Sequence, residues 1–202
     1  MASYNYNIFN GLCDKAKELV IDAVSADKTF QFLYTCGLDE RLLDMTPIEQ
    51  IFYLASQIYA ERLDKKTCDS ALLYFEPQVR LSVGAKSYIV DFLVSEQYTN
   101  NGCEYLTKKI IVETDGKDWH SSIAQRNYDY NRENELKLAG YDVFRFTGSQ
   151  IYNNPFGCIE KIYNYAEMCD TIKEEQKSPA IGDDFYDIFE DCLGNKRGDK
   201  ND

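Results

Sequence analysis

The stretch Ile110-Ile-Val-Glu-Thr-Asp-Gly-Lys-Asp-Trp-His120, "IIVETDGKDWH", decides how the chain is read. Three apolar residues run into Glu113 and Asp115, then a glycine, then Lys117, Asp118, Trp119 and the single histidine, His120. A buried strand ordinarily ends in a turn, not in a cluster of titratable groups. Side chains two apart on a strand share a face, so Ile111, Glu113 and Asp115 point the same way. Upstream, "YIVDFLV" (88–94) sets Asp91 between Val90 and Phe92, where a carboxylate is expensive to bury without a partner or a cation. If the two strands are neighbours, Asp91 and Glu113 converge. Carboxylates converging at a sheet end suit a hard, oxygen-preferring divalent ion such as Mg²⁺.

Working outward, "FEPQVRLSVG" (75–84) and "SYIVDFLVS" (87–95) flank a short turn and read as a hairpin. The polar "TNNGCEYL" (99–106) reads as a loop before a strand over 107–116. "SSIAQRNYDYNRENELKLAG" (121–140) reads as a helix with a Ser122/Gln125 capping box and Gly140 as its stop. Its packing stripe is apolar at Leu136 and Ala139 but polar at Gln125, Tyr128, Asp129 and Arg132, which suggests a site near its start. "YDVFRFTG" (141–148) is a further strand, and "NPFGCIEKIYNYAEMC" (154–169) a closing helix. Ahead of the hairpin, "TPIEQIFYLASQIYAERL" (46–63) has Thr46 as N-cap, Pro47 at the first helical position and Glu49 where a capping-box glutamate belongs. Residues 10–43 look helical, with a short second helix around "KTFQFLYTCG" (28–37). The order α, β, β, β, α, β, α describes an α/β sandwich around a mixed sheet.

Length and composition bound the function. A chain of 202 residues supports one sizeable core. A net charge of −12, spread along the chain, argues against holding nucleic acid by bulk electrostatics, which needs clustered Lys and Arg. Seven cysteines without a CxxC pair, beside one histidine, argue against a structural zinc site and for reduced thiols in a cytoplasmic protein. No apolar run approaches a membrane span, and no membrane partner or small-molecule cofactor is expected.

The arrangement resembles the PD-(D/E)xK, or restriction-endonuclease-like, nuclease superfamily, and more closely its Vsr-like/DUF559-like branch. The resemblance covers residues 44–170. It rests on Glu49 in "TPIEQ", Asp91 in "YIVDF", "VETDGKDWH", "YDYNRENELKLAGYDVFRF" (128–146) and Asn154-Pro155. It implies an αβββαβ core with a mixed central sheet flanked by helices, preceded by a helical N-terminal extension (1–43) and followed by a polar acidic tail (171–202). It also implies a Mg²⁺-dependent endonuclease acting on DNA, with Mn²⁺ able to substitute. Asp91, Glu113 and Asp115 would be metal ligands, with Glu49 and His120 completing the catalytic set. The superfamily's lysine two residues after Glu113 is replaced by Asp115, so either Asp115 or His120 activates the water; Asp115-Gly116-Lys117 offers a second D-x-K register. The acidic charge leaves DNA affinity to a partner surface, which points to a component of a larger system.

Each residue also has a plainer role. Asp91 could pair with Arg80 or Arg145, Glu113 could face solvent on an edge, Asp115 could only shape the turn, His120 could be a loop residue, and Glu49 could be only a cap. The rival functions are a non-catalytic interaction module that kept the nuclease fold, and an RNA-directed nuclease.

Overall fold

Thr46 and Pro47 start the most deeply packed helix as their chemistry dictates. The Glu49 amide donates to Thr46 Oγ1 at 3.3 Å and the Thr46 amide donates to Glu49 Oε2 at 2.6 Å, a reciprocal capping box. In the computed structural model, which describes residues 2–26, 38–64, 72–100, 103–106, 109–115 and 123–177, this helix is the third, α3 (Pro47–Asp64). Before it come α1 (Ala2–Gly11), α2 (Asp14–Ala26) and a 3-10 turn (Glu40–Asp44). The short helix expected over 28–37 lies outside the described residues. Gln50 ties α3 to what precedes it. Its side chain accepts from the Cys13 amide at 2.9 Å and donates to the Leu42 carbonyl at 2.9 Å.

The sheet follows from period-two apolar patterning. Strands β1 (Leu72–Val83) and β2 (Lys86–Asn100) form an antiparallel hairpin, with Gly84 at φ 58° opening the two-residue turn between Val83 and Lys86. Strand β3 (Cys103–Leu106) pairs with the end of β2, Asn100 opposite Cys103. That corrects the loop expected over 99–106: two residues separate the paired positions, and they are Asn101-Gly102, a strong hairpin signal that outweighs the polar composition around it. Strand β4 (Ile110–Asp115) pairs antiparallel with β2 and parallel with β5 (Asp142–Thr147). The order is β1-β2-β4-β5, a mixed sheet, with β3 beside β2. The parallel β4–β5 pair requires a crossover. Helix α4 (Ile123–Leu138) supplies it and ends at Gly140, φ 87°, where Gly140 and Tyr141 amides cap Lys137 and Leu136 carbonyls. Two helices follow, α5 (Gly148–Asn153), which the sequence reading did not separate, and α6 (Pro155–Lys177). Thr147 and Gln150 form the capping box that starts α5.

The chain divides into two compact units, Met1–Tyr163 and Asn164–Asp202. The first holds the sheet and its helical layers. The second is described only through its helical stretch 164–177. The tail's acidic-aromatic stretch "DDFYDIFEDCL" (183–193) lies outside the described residues. Among the described residues no helix is long and apolar enough to cross a membrane.

Helices α3 and α4 cover opposite faces of the sheet. Phe52 of α3 packs edge-on against Phe75 and at a tilt against Phe92 and Phe146, with ring centroids 5.9, 5.0 and 6.1 Å away. Leu136 of α4 packs with Ile111, Leu81, Tyr88 and Val90, joined by Leu93 and Val143. Phe52 is wholly buried, and Leu138 on the outer side of α4 is 88% exposed. We expect Phe52→Ala to cost about 3–5 kcal/mol. Leu138→Ala should stay within about 0.5 kcal/mol. Urea unfolding of the two variants checks this; equal losses would mean that the aromatic cluster is not the centre of the core.

Candidate active site

Register brings the sequence-predicted carboxylates together. Strands β2 and β4 pair Val94 with Ile110, Leu93 with Ile111 and Phe92 with Val112. One step further Asp91 falls opposite Glu113, where backbone pairing between the strands stops. The Asp91 side chain takes over. Its Oδ2 accepts from the Thr114 amide at 2.7 Å and from Thr114 Oγ1 at 2.9 Å. A charged acceptor with two donors is a strong, position-fixing contact. The arginine pairing considered for Asp91 does not form: Arg80 reaches Ser87 at 3.5 Å, and Arg145 lies against Asp115 and Glu133.

Glu113 is buried and is not a solvent-facing charge. Arg132 of α4 holds it. Nη2 of Arg132 donates to Glu113 Oε1 at 2.8 Å and to the Ile89 carbonyl at 2.7 Å. The guanidinium lies 5.9 Å from the centroid of the Tyr88 ring, and Tyr88 in turn donates to Glu135. Arg132, in the polar part of the α4 packing stripe, therefore pairs across to the sheet. Burial, and then the Asp91 charge, push the Glu113 carboxyl above its ordinary value; Arg132 and Arg145 pull the other way without cancelling the rise.

The other predicted residues are placed differently. The Asp115 side chain, 48% exposed, lies 3.5 Å from Arg145 Nη1, and Arg145 Nε contacts Glu133 at 3.1 Å. Glu49 is buried on the α3 side. It keeps its capping role, and its second oxygen accepts from Gln78 Nε2 at 2.8 Å. His120, with Lys117, Trp119 and Ser122, lies outside the described residues.

Sequence reading missed Thr114 and Gln78. Thr114 carries no motif; its importance comes only from the end of the β2–β4 ladder. Gln78 has a backbone φ of 53°, inside a strand, which no residue type announces.

Oδ1 of Asp91 and Oε2 of Glu113 accept no hydrogen bond from the described residues. Two carboxylates on neighbouring strands suit a divalent cation. Among the described residues, however, no three His, Cys, Asp or Glu side chains stand close enough to form a ready metal cage.

The raised Glu113 carboxyl has a definite consequence for stability. Between its unfolded and folded values the native state binds the extra proton, so stability falls as pH rises through that window. Glu113→Gln should therefore be at least as stable as wild type at pH 7, with the gain vanishing as pH drops toward the ordinary carboxylate range. Arg132→Ala should cost about 3–5 kcal/mol at pH 7, because it leaves a buried charge unpaired. Thermal unfolding from pH 4 to 8 measures both; a Glu113→Gln variant less stable than wild type at every pH would refute the electrostatic assignment.

The family model REase_MTES_1575, of a restriction-endonuclease-like family, matches residues 70–165. The match spans β1 through the first turns of α6, and so includes Asp91, Glu113, Asp115 and Arg132 but not Glu49. No curated protein and no solved structure matches the chain. The mixed sheet flanked by helices agrees with that family's fold, and the family suggests a nuclease. Residues 70–165 are thus similar to a restriction-endonuclease-like family, which supports a likeness to the PD-(D/E)xK nuclease superfamily.

Proposed function

We propose that this protein is a metal-dependent endonuclease that hydrolyses phosphodiester bonds in DNA. The observation that carries the reading is the Asp91–Glu113 pair: two carboxylates from adjacent strands, at the point where the strands stop pairing, each held through one oxygen. A sheet needs no such pair for stability, and burial beside Asp91 disfavours the charged form of Glu113.

The donor set suits a hard divalent ion, all oxygen and all from carboxylates. Asp91 and Glu113 would hold Mg²⁺, with Asp115 as the third carboxylate; Mn²⁺ would substitute. When bound, the ion supplies Lewis acidity toward the scissile phosphate and acidifies bound water. The chain's own residues do the rest. Thr114 fixes one oxygen of Asp91 and leaves the other available. Arg132 orients Glu113 and offsets part of its charge. Arg145 stands by Asp115, where a guanidinium can also meet a phosphate oxygen. His120, five residues beyond Asp115, or Asp115 itself would orient or deprotonate the attacking water. A net charge of −12 leaves DNA affinity to a partner surface, so the protein would act within a larger assembly.

A second reading has its own support. Asp115 is half exposed and turned to Arg145, and the described carboxylates do not close into a three-ligand cage. A non-catalytic interaction module with this fold would show the same features. An RNA-directed nuclease would share the proposed chemistry.

Incubation with plasmid, linear duplex, single-stranded DNA and RNA, each with Mg²⁺, Mn²⁺ or EDTA, separates these readings. We expect cleavage of DNA with either metal and none in EDTA. Asp91→Asn keeps an acceptor for Thr114, so it should fold and yet abolish cleavage. Cleavage in EDTA, or an active Asp91→Asn, would end the metal assignment; cleavage of RNA alone would redirect the substrate. Inactivity on every substrate without Mn²⁺ binding would favour the interaction module.

For His120, loss of a general base lowers turnover by about 10²–10⁴-fold. His120→Ala should fall in that range with unchanged Mn²⁺ affinity. Wild-type rates should also decline below about pH 6.5 as the ring protonates. Equal single-turnover rates for the two proteins from about pH 5.5 to 8.5 would leave Asp115 as the base.

A further inference from the structure

We propose that Gln78, held by Glu49, is a positioning residue that aims Asp91 at Glu113. Its consequence for cleavage rests on the endonuclease reading above; its structural part stands independently.

Three observations meet at Gln78. First, its φ of 53° is in the left-handed region, and it is the one non-glycine residue so placed among the described residues. Left-handed backbone within a strand costs a non-glycine residue energy and persists only where surrounding contacts enforce it. Second, the β1–β2 register runs Pro77 opposite Phe92 and Val79 opposite Val90, so Gln78 falls opposite Asp91 at an interruption of the ladder. Third, the hairpin changes sides there. Residues of one parity should share a face. Phe75 and Phe92 pack on Phe52 of α3, yet Leu81, Tyr88 and Val90, of the same parity on each strand, pack with Leu136 of α4. The crossing falls between Phe92 and Val90, at Asp91.

The Gln78 side chain explains how the crossing is held. Strand alternation would put it on the exposed side with Tyr74 and Glu76. It remains exposed, and from the left-handed backbone its Nε2 reaches the start of α3 and donates to Glu49 Oε1 at 2.8 Å. Glu49 is anchored through its other oxygen by the Thr46 amide at 2.6 Å. A buried carboxylate thus links the start of α3 to the hairpin kink. The kink frees Asp91 from its ladder partner on β1, just as the end of the β2–β4 ladder frees it on the other side. The carboxylate can then reach Thr114 and Glu113. The role of Glu49 follows: it acts on the site through Gln78 rather than by touching the reacting groups.

The test uses a swap. Gln78→Glu sets two carboxylates against each other. Glu49→Gln/Gln78→Glu restores the link with donor and acceptor exchanged, since the amide side chain that Glu49→Gln introduces can still accept from the Thr46 amide through its carbonyl. Gln78→Gly tolerates the backbone angle but removes the link, and so remains foldable. The readout is exchange of the Thr114 amide, which Asp91 protects, relative to the Ile111 amide in the same strand, measured by NMR without metal. A general loss of stability moves both amides together. We expect Gln78→Glu and Gln78→Gly to raise the ratio at least about tenfold, and the double swap to return it to within about threefold of wild type. Calorimetric Mn²⁺ affinity should weaken and recover in parallel. An unchanged ratio in both single variants, or a folded double swap that fails to restore it, overturns the positioning role. A wild type that binds no Mn²⁺ overturns the metal-dependent reading alone and leaves the exchange ratio to decide this one.

Discussion

At Asp91 the strand β2 ends its pairing with β4 and skips one pair in its ladder with β1, and the Thr114 amide and hydroxyl bond to the Asp91 carboxylate. A backbone amide near a sheet centre must find an acceptor, because an unpaired one costs as much as a lost hydrogen bond. The chain meets that demand with a side chain, and in doing so pins a charged group in place. One contact therefore closes the β2–β4 ladder and presents an acid at its end.

The electrostatics around this contact are only partly balanced. Arg132 offsets Glu113, and Arg145 stands between Asp115 and Glu133. Glu113 nevertheless remains harder to ionise than a carboxyl in water, first because it is buried and then because Asp91 is near. Structural ion pairs ordinarily lower a carboxyl's pKa; a paired carboxyl whose pKa is raised is more characteristic of a functional site.

The scaffold is rigid where the site needs it. Asp91, Glu113 and Asp115 sit on strands, Arg132 on a helix, and Glu49 at a capped helix start buried against the sheet. Groups carried on strands and helices hold their geometry better than groups on loops. Phe52 and its aromatic neighbours fill one face, and Leu136 and Ile111 the other. The hairpin kink is the exception to this regularity, and it lies beside the carboxylates.

The sequence by itself determined the elements and the identity of the carboxylates. Period-two runs marked β1, β2, β4 and β5, Thr46-Pro47-x-Glu49 marked the start of α3, and Gly140 marked the end of α4, because each signal is local and acts within a few residues. Aspartate inside "YIVDFLV" and the acids after "IIV" stood out for the same reason: apolar neighbours make an unpartnered charge costly. The strand β3 was legible too, through Asn101-Gly102, but composition hid it. Tertiary structure alone decided the partners. Whether Asp91 met an arginine or Thr114, that Arg132 would reach across to Glu113, and that Gln78 would take a left-handed backbone and reach Glu49, all depend on register between segments far apart in the chain. Local propensity carries no record of such register; it is set only when the two faces of the sheet pack against α3 and α4 and every buried polar group must find its partner.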